Sequence, residues 1–137
     1  MVPKSKRKKS KKQYLMSARE INMEVIRLCC SFPKKYEYYL CTPIADTSAR
    51  IYENVRKADS INPKNRHELE LRTDFLIFAK GEVNYLISQL EMMNEFERIS
   101  PSRMEKLMSE VSKELESLEE IIKEDKVRYK NYLSDIG

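Results

Sequence analysis

The stretch RHELELRTDFLIFAKGEVNYLISQLEMMNEF, residues 66–96, lies in the longest proline-free run of the chain. Its apolar residues recur at Leu69, Leu76, Ala79, Val83, Leu86, Leu90 and Met93, in steps of three and four with one gap, where Arg72 takes the apolar position. That spacing is the 3.6-residue period of a helix burying one face. Phe75, Phe78, Tyr85 and Ile87 widen the stripe, which predicts contact on two sides, as in a bundle. At a rise of about 1.5 Å per residue the helix is roughly 45 Å long, so it needs partners of similar length.

The rest of the chain supplies three such partners. Leu15, Ala18, Ile21, Val25, Leu28 and Phe32 repeat at helical spacing over Tyr14–Phe32, and Pro33 disfavours a helical conformation at the residue before it. A connector rich in tyrosine and lysine follows, from Lys34 to Leu40. Three dipeptides then punctuate the chain alike: Thr42-Pro43, Asn62-Pro63 and Ser100-Pro101. Each couples a capping side chain to a proline suited to the first helical position. They predict helices from Pro43 to about Ser60, from about Pro63 to Phe96, and from Pro101 to at least Glu124. Ile44, Ile51, Val55 and Ala58 line the second, and Met104, Leu107, Met108, Val111, Leu115, Leu118, Ile121 and Ile122 the fourth. Lys126 to Tyr132 reads as a fraying extension. Gly81, inside the long helix, reads as a close approach by another backbone.

Short connections make successive helices antiparallel neighbours. The expected fold is all-α: an up-down-up-down four-helix bundle over residues 14–125, preceded by a flexible basic tail at 1–13 and followed by a C-terminal extension at 126–137. The composition agrees, with only two glycines and five prolines against 35% charged and 41% hydrophobic residues, the balance of amphipathic helices. No apolar run approaches the roughly 20 residues of a membrane span. No signal-peptide apolar region follows the basic N-terminus, so the expected location is cytoplasmic.

Charge is uneven. Lys4, Lys6, Arg7, Lys8, Lys9, Lys11 and Lys12 precede the first acidic residue, Glu20, and leave 19 basic against 22 acidic residues in the remaining chain. The whole excess of +4 therefore resides in the tail. Such a block self-repels and binds polyanions, of which nucleic acid is the abundant one. The alternative is a solubilising tail with only non-specific RNA affinity. A second candidate cluster, Arg50, Arg56, Lys57, Lys64, Arg66 and Arg72, falls on the second helix, the adjoining loop and the start of the third. It suits phosphate contacts that position without reading bases, although the interspersed Glu53, Asp59, Glu68 and Glu70 also fit an ordinary mixed surface.

Catalytic signatures do not emerge. The chain has no glycine-rich loop and no Glu-x-x-His pair, and its one histidine, His67, stands at a helix start, where a solvated role suits it. Cys29, Cys30 and Cys41 form no Cys-x-x-Cys pair and read as buried reduced thiols rather than a metal or redox centre. No cofactor or small-molecule substrate is expected.

The helix ending Ser31-Phe32-Pro33-Lys34-Lys35, the tyrosine-rich connector, the small-residue second helix, the long third helix through Ala79 to Glu91, and the fourth opening Ile99-Ser100-Pro101-Ser102-Arg103-Met104 together resemble a known four-helix-bundle family. It comprises the 23S rRNA intervening-sequence proteins and the accessory variability determinant (Avd) proteins of diversity-generating retroelements. The resemblance spans roughly residues 15–125 and rests on helix boundaries and apolar spacing. It implies a homopentameric assembly with a basic surface. In the Avd branch it implies binding to a reverse transcriptase and its template RNA or cDNA, in support of mutagenic cDNA synthesis. The lysine-rich tail departs from the family pattern. The other reading is a structural or protein-interaction bundle without specific RNA binding, as in the intervening-sequence branch.

Overall fold

The computed structural model describes residues 12–133, which hold no strand. Four long helices, α1 (Gln13–Ser31), α2 (Thr42–Asp59), α3 (Arg66–Phe96) and α4 (Pro101–Arg128), are followed by a single turn, α5 (Lys130–Leu133). All four long helices contribute to one core: Ile21, Val25, Ile51, Val55, Leu76, Val83, Leu86, Leu90, Val111 and Leu118 are fully buried. The tail residues 1–11, with Lys4, Lys6, Arg7, Lys8, Lys9 and Lys11, lie outside the described residues.

Side-chain bonds set the direction of neighbouring helices. Going up α1, the Tyr14 hydroxyl donates to Asp59, Asn22 Nδ2 to Ser48, and the Cys29 thiol to the Cys41 carbonyl. The partner numbers fall as the α1 numbers rise, so α1 and α2 run in opposite senses. In the same way Arg50 pairs with Glu82 while Ala58 meets Arg72 across α2 and α3. Thr47 and Ser48 are buried hydroxyls that donate to the carbonyls of Pro43 and Ala45 one turn back, which lets a polar residue sit in an apolar interior without an orphaned group.

Of the three capping dipeptides, one works as the sequence suggests. The Ser100 hydroxyl accepts from the Arg103 N–H and Pro101 opens α4. At Asn62-Pro63 the helix starts later. Asn65, in extended conformation, accepts from the Glu68 N–H at 2.9 Å, and the Glu68 carboxylate accepts from the Lys64 N–H at 2.8 Å. The acid three residues after the cap thus ties down the N–H one residue before it, a variant of the capping box, and the pair of bonds outcompetes the proline signal. At Thr42-Pro43 no cap is needed. A 3-10 turn, Lys34–Tyr36, leads into a π-turn, Glu37–Cys41, that runs straight into α2, and the Thr42 N–H is satisfied by the Glu37 carbonyl. The first helix ends as expected, with Phe32 extended before Pro33.

Three further expectations change. Residues 126–128 continue α4 as regular helix, and Asp125, at the proposed domain edge, is 2% exposed. Phe78 and Tyr85 do not pack into the bundle; they are 57% and 54% exposed, because they lie off the Leu76–Val83–Leu90 line on the outer side of α3. Gly81 marks no close approach: a Cβ built there meets nothing within 4 Å. Its flexibility is therefore uncompensated, and Gly81→Ala is expected to raise the unfolding free energy by about 0.5–1 kcal/mol. Urea denaturation measures this, and a loss of stability would mean that another chain covers the position.

Candidate nucleic-acid interface

The basic residues inferred along α2 and the start of α3 are largely balanced by acid. Arg50 is paired with Glu82, Lys57 with Glu53 at 2.7 Å, and Arg66 with Glu70 at 3.3 Å. Lys57 also sits over the Phe75 ring, 5.7 Å from its centroid. Lys12 pairs with Asp59 at 2.8 Å. There burial works against the Asp59 charge, but the hydrogen bonds from Lys12 and Tyr14 outweigh it and hold the carboxyl below its usual range. The Tyr14 hydroxyl is pushed up to about 12, by burial and then by that same bond. Of the six cations in the cluster, only Arg56 and Lys64 make no ion pair among the described residues. Exposed pairs of this kind are weak and leave the cations accessible, but the field they present is close to neutral.

Arg72 is a correction of a different order. Its side chain is only 9% exposed, its Nε donates to Asp125 at 2.7 Å, and its Nη1 donates to the carbonyls of Ala58 and Ile61 at 2.9 and 3.3 Å. Burial disfavours the guanidinium charge, yet the Asp125 carboxylate more than offsets this and the pKa is raised. One side chain thus ties α3 to α4 and satisfies carbonyls at the end of α2. It is a structural clamp and is not available to phosphate, which removes α3's first turns as an RNA site centred on Arg72.

The structure assembles a second basic surface that the sequence pattern did not single out, at the opposite end of the molecule. The α1–α2 connector brings Lys34 and Lys35, and the α3–α4 connector brings Arg98, with Arg103 on the first turn of α4. The two connectors are joined: the Tyr36 hydroxyl donates to the Phe96 carbonyl at 3.2 Å, Tyr36 packs between Phe32 and Phe96, and Arg103 Nη1 donates to Ser31 at 3.1 Å. A cleft of about 260 Å³ opens between them, lined by Phe32, Pro33, Arg98 and Arg103. None of Lys34, Lys35, Arg98 and Arg103 forms an ion pair among the described residues. The lysines and tyrosines of residues 34–39 were legible as a string. The arrival of Arg98 and Arg103 beside them depends on the packing of the connectors.

Beneath the same corner, Cys29, Cys30 and Cys41 line a cleft of about 250 Å³ with Glu37. Burial and the neighbouring Cys41 push the Cys29 thiol up to about 12, so it stays protonated at neutral pH. No group of side chains among the described residues is arranged to hold a metal ion, and no described helix is long and apolar enough to cross a membrane. Comparison with family models, curated proteins and solved structures finds no match to this chain.

Proposed function

We propose that the chain is a non-enzymatic, cytoplasmic accessory protein whose four helices form an up-down-up-down bundle, which oligomerises and binds nucleic acid through basic surfaces. On the resemblance to Avd proteins, the assembly is a homopentamer that assists a retroelement reverse transcriptase and its template RNA in mutagenic cDNA synthesis. The observation that carries the assembly is a stripe on the outer face of α3. Leu71, Phe78, Tyr85 and Met92 recur every seven residues and are 41–57% exposed, with Ile77 alongside at 50%. A row of large apolar side chains left in water is costly, and a protein partner covers it at a gain. The nucleic-acid part draws on the tail, which carries all of the excess positive charge.

Two measurements test the proposal. Sedimentation should give a defined oligomer that Phe78→Glu dissociates; a monomer at all accessible concentrations would remove the assembly. The log of RNA affinity should fall linearly with log salt, with a slope of about 0.7 per phosphate neutralised on a single strand. Removing residues 1–11 should flatten it, and an unchanged slope would clear the tail of that role.

A second reading, a protein-interaction bundle without specific RNA binding, draws on the pairing of Arg50, Lys57 and Arg66 with carboxylates. It expects the same oligomer and no RNA binding at physiological salt.

A further inference from the structure

Among the described residues, Tyr38 and Tyr39 are the two most exposed of the large apolar side chains, at 76% and 80%. They sit on the π-turn Glu37–Cys41, whose next two residues, Leu40 and Cys41, are buried at 7% and 5%. The backbone is therefore anchored while two successive rings face water, 4.9 Å apart and edge to face. π-turns are rare and cluster at functional positions. Leaving two aromatic rings in solvent forgoes the burial they would otherwise gain. The segments 32–41 and 97–103, joined through Tyr36 and Phe96, hold four cations, Lys34, Lys35, Arg98 and Arg103, against two carboxylates, Glu37 and Glu97. The cations are free of ion pairs among the described residues, whereas four of the six in the α2–α3 cluster are paired.

We infer that this connector end of the molecule is a binding surface for single-stranded nucleic acid, with Tyr38 and Tyr39 as stacking platforms for bases and Lys34, Lys35, Arg98 and Arg103 as phosphate contacts. The inference rests on the nucleic-acid reading above and narrows it to a strand type and a place. Single strands fit because only an unpaired base offers a free face to a tyrosine ring, whereas phosphate contacts alone serve duplex and single strand alike. A rigid, anchored turn lowers the cost of presenting the rings. The cleft between the two connectors is lined by Arg98 and Arg103, together with Glu97 and with Pro33, the residue before Lys34.

The test uses the full chain with fluorescently labelled oligo(U) and oligo(dT) of about 12 nucleotides, within the site sizes of single-strand binders, and with a duplex of the same length. Tighter binding of the single strands is expected. Tyr38→Ala with Tyr39→Ala should weaken it at least about tenfold, as expected for lost base stacking. Tyr38→Phe with Tyr39→Phe should retain it, because the ring and not the hydroxyl carries the contact. Both positions are exposed, so an unchanged melting curve is expected for each variant. The chain lacks tryptophan and has eight tyrosines, so the part of the tyrosine quenching on binding that is lost in the Tyr38→Phe, Tyr39→Phe variant reports stacking at these two rings. Lys34→Ala, Lys35→Ala and Arg98→Ala together should reduce the salt slope by about 2.

Equal binding of duplex and single strands, with the alanine pair unaffected, would overturn the stacking surface while leaving nucleic-acid binding in place. Absence of binding to every nucleic acid tested would overturn both. Displacement of the oligonucleotide by polyglutamate at equal charge would mark the surface as a site for an acidic protein and also overturn the inference.

Discussion

Arg72→Met is expected to lower the unfolding free energy by about 3–5 kcal/mol, the range for removing one partner of a buried ion pair. Asp125, whose side chain is 3% exposed, would lose its counterion, and the carbonyls of Ala58 and Ile61 would lose their donor. Against a typical total of roughly 5–15 kcal/mol, this is enough to leave part of the population unfolded. The comparison that isolates the cause is the double variant Arg72→Met with Asp125→Leu, which removes both charges and should recover most of the loss. Arg72→Lys should recover little, because one ammonium cannot reach the carboxylate and two carbonyls in the fork geometry that Arg72 uses. Urea denaturation of all four proteins measures it. A single variant as stable as the parent would mean that Asp125 finds water. Folded Arg72→Met should bind RNA as the parent does, since the guanidinium does not face solvent.

Glu114→Leu is expected to raise stability, by about 3 kcal/mol at pH 7. Glu114 is fully buried on α4 between Val111 and Leu118, and neither carboxylate oxygen has a hydrogen-bond partner. Burial alone pushes its pKa from 4.5 up to about 9. In the fold the carboxyl is thus protonated at neutral pH, whereas in the unfolded chain it ionises above about 4.5. The unfolded state then holds fewer protons than the folded one, so stability falls as pH rises from about 4.5 to about 9, with a slope near 1.4 kcal/mol per pH unit. Below this window the penalty is absent, and above it the penalty is constant. Glu114→Gln should abolish this part of the slope, and Glu114→Leu should also remove the unpaired oxygens. Glu110, partly buried and also raised, adds a slope of its own. The measurement is therefore the difference between parent and Glu114→Gln in urea at pH 5, 7 and 8.5. Parallel curves would mean that the carboxylate is ionised and solvated in the folded protein.

Helix placement was largely legible because it depends on local chemistry. The period of Leu69 to Met93 defines a buried face whatever packs on it, and Pro33 and Ser100-Pro101 act on their own backbone neighbours. One start was displaced, that of α3, and α2 opened at Thr42-Pro43 as expected but without its cap; both differences have local causes. Asn65 with Glu68 formed a better cap than Asn62-Pro63, and a π-turn removed the need for any cap at Thr42. The site was much less legible. Lys57 with Glu53 and Arg66 with Glu70 pair within one helix, four residues apart, but whether Arg50 or Lys12 faces a carboxylate on another helix is not written in its own segment.

The sequence by itself determined that this protein is helical, where its apolar faces lie and that its excess positive charge sits before residue 13. Periodicity, proline geometry and charge count are properties of short stretches, and they survive any arrangement of the helices. Only the tertiary structure decided what Arg72 is. Within residues 66–96 it reads as a polar interruption of an apolar stripe, open to solvent or to RNA. Packing placed Asp125, 53 residues away, within 2.7 Å of it and turned the interruption into the clamp between α3 and α4. The same packing left Leu71, Phe78, Tyr85 and Met92 outside the core and joined the connector that carries Arg98 to the first connector through Phe96 and Tyr36. A residue's partner across the fold depends on how helices align, and no local pattern carries that information.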